Sequence, residues 1–301
     1  MTKTSLLMIK LTDTCPNKCI FCLNGDGPVK HTRLNLEEIK EIVKKFDPKK
    51  VEFTGGEPLI DISFLIKVIK ELRKMGVKKF RINTALDLKG ENNPLTCEDI
   101  RLLGKIGSVE LFVSIETLNA KKYSLIRNNT HALLVRVLEN ISFFLPETDL
   151  LLVPGFVPTS KNINDFPEVY SFISKLSKKY PNKVLPLEFC KLILTGRATK
   201  KIAVPFKKEL SVLKKLKIIH PIEAWCYGKD SLALKKIGLA VHPCSFGKDS
   251  FYVGAKGAVF PDNSCGKSPI AKHYSKFNLE KYLDSDQAKG FFCLRAWRDC
   301  K

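Results

Sequence analysis

Short apolar runs and amphipathic stretches alternate along the first two-thirds of this chain, and that alternation restricts the fold more than any other feature. Strand-like runs fall at 6–11, 51–54, 79–84, 109–115, 150–153 and 184–189. Helical patterns lie between them. "LNLEEIKEIVKKF" keeps Leu36, Ile39, Ile42, Val43 and Phe46 on one face, and "DISFLIKVIKELRKMG" does the same with Ile62, Leu65, Ile66, Ile69 and Leu72 before stopping at Gly76. Further helices fit 97–106, 133–144 and 164–179. Asn35 and Asp61 stand where N-caps belong. Strand and helix repeated about six times demand parallel strands joined by crossovers. No G-x-G-x-x-G follows the first strand, so an open six-unit barrel fits better than a nucleotide-binding sheet.

The pattern changes after about residue 190. One more helix fits 206–219, then Gly, Pro, Cys and Lys follow in irregular order. "FYVGAKGAVF" carries a hairpin signal, with Gly254, Lys256 and Gly257 separating two apolar runs. A last helix fits 285–298. So few periodic apolar residues call for a staple, and metal is one. The expected division is a core barrel over 1–190 and a linker helix with a small cysteine-rich domain over 191–301.

At 301 residues, 44% hydrophobic and 27% charged, the chain reads as soluble and globular. No apolar run approaches the roughly 20 residues of a membrane span, and the start shows no secretion signal. The expected compartment is the cytoplasm, without membrane attachment. The formal charge of +20 invites a nucleic-acid partner. Lysine pairs such as Lys44-Lys45, Lys121-Lys122 and Lys235-Lys236 are dispersed, however, as on solvated helix faces, so that partner is not favoured.

A reducing compartment makes ten cysteines notable. Cys15, Cys19 and Cys22 form C-x3-C-x2-C within one loop after the first strand. Three such thiolates can hold three corners of a [4Fe–4S] cluster and leave the fourth iron open. Structural zinc wants a fourth nearby ligand, and His31 is the closest histidine. A disulfide with an odd thiol is the weakest alternative. Cys97 and Cys190 stand alone and read as fillers. The second signal, "EFTGGEPL", ends the second strand. Gly55 and Gly56 let backbone approach a ligand, Glu57 supplies a carboxylate and Pro58 stiffens the exit. Alone, the same letters would also suit a plain strand-to-helix turn.

"CPNKCIFC" and "GGEP" on these strands resemble the radical S-adenosylmethionine (SAM) enzymes over about residues 5–190. The resemblance implies a partial (β/α)6 barrel and an enzyme. Cys15, Cys19 and Cys22 would hold a cluster whose open iron chelates the amino and carboxylate groups of SAM. One electron then splits the S–C5′ bond into methionine and a 5′-deoxyadenosyl radical, which removes hydrogen from a substrate C–H bond. The resemblance also implies Phe21 against the adenine and Gly55, Gly56 and Glu57 at the SAM amino group. It places Ser114 of "FVSIET" at the ribose and Arg127 of "SLIRNN" near the SAM carboxylate. Asn83 stands where relatives read "TNG", although no glycine follows. Glu116 departs from an expected aspartate.

"ILTGRATK" resembles the "GRA" segment of the SPASM and twitch subfamilies, whose C-terminal extensions carry further iron–sulfur clusters. Five tail cysteines suit one auxiliary [4Fe–4S] cluster in a twitch-like domain, held by Cys244, Cys265, Cys293 and Cys300 with Cys226 in reserve; zinc on four thiolates is the alternative. His242 stands two residues before Cys244, placed to support it. The resemblance implies an anaerobic oxidoreductase fed by flavodoxin or ferredoxin. The leading substrate is a peptide or protein side chain. The early position of Cys15 leaves no leader-binding domain and counts against a leader-guided peptide. Alternatives are a sugar, cyclitol or nucleotide precursor, a tRNA, or a non-catalytic iron–sulfur or zinc protein that binds RNA.

Overall fold

Local capping helps to specify the first three helices of the barrel. In α1 (Leu36–Phe46) the Asn35 side chain accepts from the Glu38 N–H at 2.9 Å, and the Glu38 carboxylate accepts from the Asn35 N–H at 2.7 Å. This reciprocal cap contributes about 1 kcal/mol. Asp61 caps α2 (Ile62–Lys74), and Thr96 and Asp99 form the same box on α3 (Cys97–Gly104). The expected apolar faces are the buried ones: Ile39, Ile42, Val43 and Phe46 on α1, and Leu65, Ile66, Ile69 and Leu72 on α2.

The computed structural model describes residues 4–23, 25, 32–90, 92–227, 230–242, 249–261 and 269–285. Its strands and helices run β1 (Leu6–Thr12), α1, β2 (Lys50–Gly55), α2, β3 (Lys79–Thr84), the small ribbon β4 (Leu88–Gly90) and β5 (Asn93–Pro94), α3, β6 (Glu110–Ser114), α4 (Ala120–Arg127), α5 (Leu134–Glu147), β7 (Leu151–Phe156), α6 (Phe166–Lys179) and β8 (Leu187–Cys190). The six expected strands thus form, each shifted by a few residues at most, and pair in parallel in the order β8-β7-β6-β3-β2-β1. The fold is an α/β partial barrel.

Beyond residue 190 the chain is more regular than its composition suggests. It forms α7 (Phe206–Lys214), β9 (Ile222–Trp225), α8 (Ser231–Lys235), β10 (Ala240–His242), the hairpin β11 (Ser250–Val253) and β12 (Val259–Phe260), and α9 (Leu279–Leu283). β9 and β10 extend the sheet beyond β8, while β11 pairs in parallel with β1 at the other end. β10 ends at His242 and β11 begins at Ser250, so that link spans at most roughly 29 Å. The hairpin signal is correct, with Gly257 at φ 75° in its turn. The expected helix over 285–298 lies outside the described residues.

Alternation along the strands separates two faces. Leu7, Ile9, Val51, Phe53, Phe80, Ile82, Leu111, Val113, Leu187 and Phe189 join the core under the helices. Glu52, Arg81, Asn83, Glu110, Phe112 and Glu188 take the other face. Arg81 Nη1 on β3 reaches Glu188 on β8 at 2.7 Å, past the intervening β6 and β7. Only a concave surface permits that contact, so these residues line the lumen. Phe112 lies across β7, where a Cβ on Gly155 would fall 2.2 Å from its ring. Among the described residues, no helix is long and apolar enough to cross a membrane.

Glu209 on α7 is 3% exposed. Burial pushes its carboxyl up to about 7, outweighing Tyr227 and Lys191, which favour the anion. The folded pKa therefore lies above the unfolded value of about 4.3. The stabilisation it provides is complete below that value and is lost as pH rises through about 7. Urea melts of the wild type and Glu209→Gln at pH 5 and pH 8 should show the wild type losing about 2–3 kcal/mol more than the variant across that window. Parallel profiles would refute this assignment.

Candidate active site

The cysteine loop leaves the C-terminal end of β1 and is fixed by backbone from three directions. The Gly56 N–H donates to Thr12 O at 2.7 Å, and the Glu57 N–H donates to Thr14 O at 2.8 Å. Glycine is required for this docking. A Cβ on Gly55, at φ 137°, would lie 2.3 Å from Thr12 O, and one on Gly56 would lie 1.8 Å from Thr14 O. The backbone that approaches the double glycine most closely is thus the cysteine loop itself. From the second direction, the Lys18 and Ile20 N–H groups donate to Arg127 O and Ile126 O at the end of α4, at 3.0 and 2.9 Å. From the third, the Arg197 N–H donates to Cys22 O at 3.0 Å. Gly196, at φ 60°, lies so close that a Cβ there would sit 2.3 Å from Cys22 O.

Side chains secure the same loop. Asn129 donates to Pro16 O at 2.8 Å. Asn17 donates to the fully buried Asp87 at 3.0 Å, which also accepts from Tyr123 Oη at 3.1 Å. These donors satisfy a buried carboxyl group beneath the loop.

Burial pushes the Cys15 thiol well above its ordinary pKa, and the neighbouring Cys19 charge adds to the effect. Burial lifts Cys19 to about 11, against the pull of Arg127, whose Nη1 lies 3.4 Å from its sulfur. Arg127 Nη2 also bonds Ser114 O at 2.8 Å and Glu116 at 2.9 Å. Glu116 is fully buried, and burial raises its pKa despite Arg127. Among the described residues, its Oε1 and Arg127 Nε remain buried without a hydrogen-bond partner. Three thiols on one backbone-fixed loop, beside a buried arginine, fit a cluster held by three cysteines: bound cations would replace the solvation that burial removes.

The other expected residues fall into two groups. Phe21 and Ser114 lie with Arg127, whose guanidinium is 5.8 Å from the Phe21 ring. Glu57 is 2% exposed; it accepts from the Leu59 and Ala85 N–H groups at 3.0 and 2.9 Å, and burial pushes it up to about 7. Its carboxylate therefore ties the turn to the end of β3. Asn83 points into the lumen and donates to Glu52 at 2.7 Å. The left-handed residue of its turn is Leu86, at φ 60°, two positions beyond the place where the "TNG" resemblance would put glycine. Sequence reasoning left Glu116 without a role and passed over Asp87 and Glu52. Nothing in a lone acidic letter signals burial.

Cys244, Cys265, Cys293 and Cys300 lie outside the described residues. Cys226 is exposed at the end of β9, at φ 68°. His242 stacks on Trp225 with ring centroids 4.4 Å apart and faces Glu223 at 3.3 Å. Cys190 lies on the lumen side beside Glu188, and Cys97 lies beneath α5 near Asn140.

A curled parallel barrel with a three-thiol loop docked on a Gly-Gly turn at the strand ends defines a class of iron–sulfur enzymes. The chain belongs to the Radical SAM superfamily, whose family model matches residues 9–171. Among curated relatives, the GTP 3′,8-cyclase of Clostridium botulinum (strain Langeland / NCTC 10281 / Type F) is 25% identical across 95% of this chain and 87% of its own length. That of Peptoclostridium acidaminophilum is 28% identical across 81% and 75%. Of solved structures, anSMEcpe with bound AdoMet superposes with a TM-score of 0.71 at 16% identity, covering 98% of this chain and 81% of that one. Streptococcus suis SuiB bound to precursor peptide SuiA gives 0.65 at 15%, covering 96% and 66%. These two show the fold alone.

Gly56→Ala and Gly196→Ala should each separate the cysteine loop from its support. Both variants are expected to lower the thermal midpoint, by an overpacking cost of about 1–3 kcal/mol. Both should also bind less iron on anaerobic reconstitution. Wild-type iron content in both would show that the docking is not needed for the site.

Proposed function

We propose that this chain is a SAM-cleaving radical enzyme acting on a small nucleotide-type precursor. The observation that carries the chemistry is the docking of the Cys15, Cys19 and Cys22 loop on Gly56 and Glu57. It joins the residues for a cluster to those for SAM through two main-chain hydrogen bonds. When bound and reduced, the cluster supplies one electron that splits SAM into methionine and a 5′-deoxyadenosyl radical able to take hydrogen from substrate. This chain's residues do the rest. The three thiols hold the iron. Phe21, Ser114 and Arg127 line the space beside them, and Gly55, Gly56, Glu57 and Asn83 stand on the adjoining strand ends. The lumen then holds the substrate away from water at the C-terminal ends of the strands.

The substrate reading follows the nucleotide alternative rather than the peptide side chain expected first. GTP 3′,8-cyclases resemble this chain along almost its whole length, whereas the peptide-bound neighbour shares 15% identity and speaks only to fold. An auxiliary [4Fe–4S] cluster on Cys244, Cys265, Cys293 and Cys300, within a 191–301 extension of twitch type, belongs to the same proposal. So do a flavodoxin- or ferredoxin-type reductant and a cytoplasmic, anaerobic setting.

Anaerobically reconstituted protein with dithionite and SAM should release 5′-deoxyadenosine, and Cys19→Ala should not. Equal product from both, or none from the wild type, would sink the proposal. Iron and sulfide analysis of Cys265→Ala should show loss of one of two clusters, with the front cluster's electron paramagnetic resonance signal retained. An unchanged iron count would remove the auxiliary cluster.

A further inference from the structure

A rim of lysines is set around the cysteine loop at the C-terminal end of the strands. Lys18, between Cys15 and Cys19, is exposed, and its N–H is tied to Arg127 O at the end of α4. That helix opens with the exposed Lys121 and Lys122. Lys122 Nζ bonds Asp165 at 2.6 Å, in the segment that follows β7. In the same segment the Ser160 N–H donates to Ile202 O at 2.8 Å. This sets the exposed Lys161 beside the turn Lys200–Ile202, which carries the exposed Lys200 and Lys201. The Arg197 N–H then returns to Cys22 O at 3.0 Å. The chain of contacts begins and ends on the cysteine loop, so the lysines stand around it.

The rim is of one sign. α4, residues 157–162 and residues 195–203 contain no acidic residue, and the flanking Asp13 and Asp165 are paired with Lys10 and Lys122. Lysines on the outer helices instead share their faces with acids, as Lys40 does with Glu37 and Lys74 with Glu71. Two large apolar side chains stand among the rim lysines: Leu125 is 73% exposed and Leu194 44%. Lysines around exposed leucines complement a protein surface that is acidic with an apolar centre. A single-stranded nucleic acid would call for aromatic platforms under its bases. None of the large hydrophobic residues exposed among the described residues is aromatic. The rim also encloses Cys15, Cys19 and Cys22, which are all partly exposed.

We propose that this rim is the docking surface for an acidic one-electron carrier protein. The proposal rests on the cluster reading above and assigns that carrier a place on the chain. In the docked pair the carrier loses one electron and the bound cluster gains it, with no atom transferred. Contacts of this kind are small and dominated by charge, so the complex should be weak and sensitive to salt.

The probes are an acidic FMN flavodoxin and an acidic [2Fe–2S] ferredoxin, both oxidised, titrated separately against the full chain reconstituted without oxygen. At least one should bind at about 20 mM NaCl and weaken about tenfold or more at about 200 mM. Lys121→Glu, Lys161→Glu and Lys200→Glu combined should weaken that binding about tenfold or more, whereas Lys67→Glu, Lys70→Glu and Lys74→Glu combined on α2 should leave it within about twofold. With dithionite in place of the carrier, the rim variant should form 5′-deoxyadenosine at the wild-type level. Binding of neither carrier, binding that the rim variant keeps, or an equal loss in the α2 variant overturns the assignment. A poly(U) probe held by the rim while neither carrier binds gives the surface to nucleic acid instead. Dithionite turnover without carrier binding refutes the docking alone. Absence of 5′-deoxyadenosine with dithionite counts against the cofactor reading, and the titration still decides the docking.

Discussion

The site depends on main-chain contact between two loops from neighbouring strands. β1 and β2 lie side by side in parallel, so the loops that follow them emerge together at the same end of the sheet. There the Gly56 and Glu57 N–H groups meet Thr12 O and Thr14 O. That contact replaces water at four backbone groups and leaves no room for a β-carbon on either glycine. The distal half of the cysteine loop is held by α4 and by Gly196, elements more than a hundred residues away in sequence. A loop anchored this way has the positions of its thiols set by main-chain hydrogen bonds.

Charge is divided between the two sides of the sheet. Beneath the helices the strands are apolar. The lumen carries Lys50, Glu52, Arg81, Glu110 and Glu188, joined in part by ion pairs that cross from strand to strand. Near the thiols, Arg127 is shared among Cys19, Ser114 and Glu116. Buried pairs of this kind contribute less to stability than their geometry suggests, because desolvation offsets much of the attraction. Their effect here is positional. They set Arg127 beside a cysteine and leave the lumen with acceptors facing inward.

Legibility in sequence followed the range of each interaction. Strands, helices and caps were readable because their periods and caps are local, and Asn35 and Asp61 cap as expected. β9 and β10 were not readable. They are four and three residues long, and they exist because β8 offers an open edge rather than because of their own pattern. The cysteine spacing and "GGEP" mark two loops that the structure brings into contact. Their relation was not visible, since the space around the glycines is filled by the loop and not left for a ligand alone. Glu116 and Asp87 carry no local signal, and burial gives each its role.

Sequence by itself determined the alternation of strand and helix, the parallel sense of the sheet and the close spacing of the three front cysteines. Those follow from periodicity and spacing along the chain. Only the tertiary structure decided that Gly196 supports Cys22, that Arg127 touches Cys19 and that Glu52 and Asn83 share the lumen wall. Glu52 and Asn83 meet across the paired strands β2 and β3, and the other two pairs join segments more than a hundred residues apart, so none of these contacts is written in any one segment.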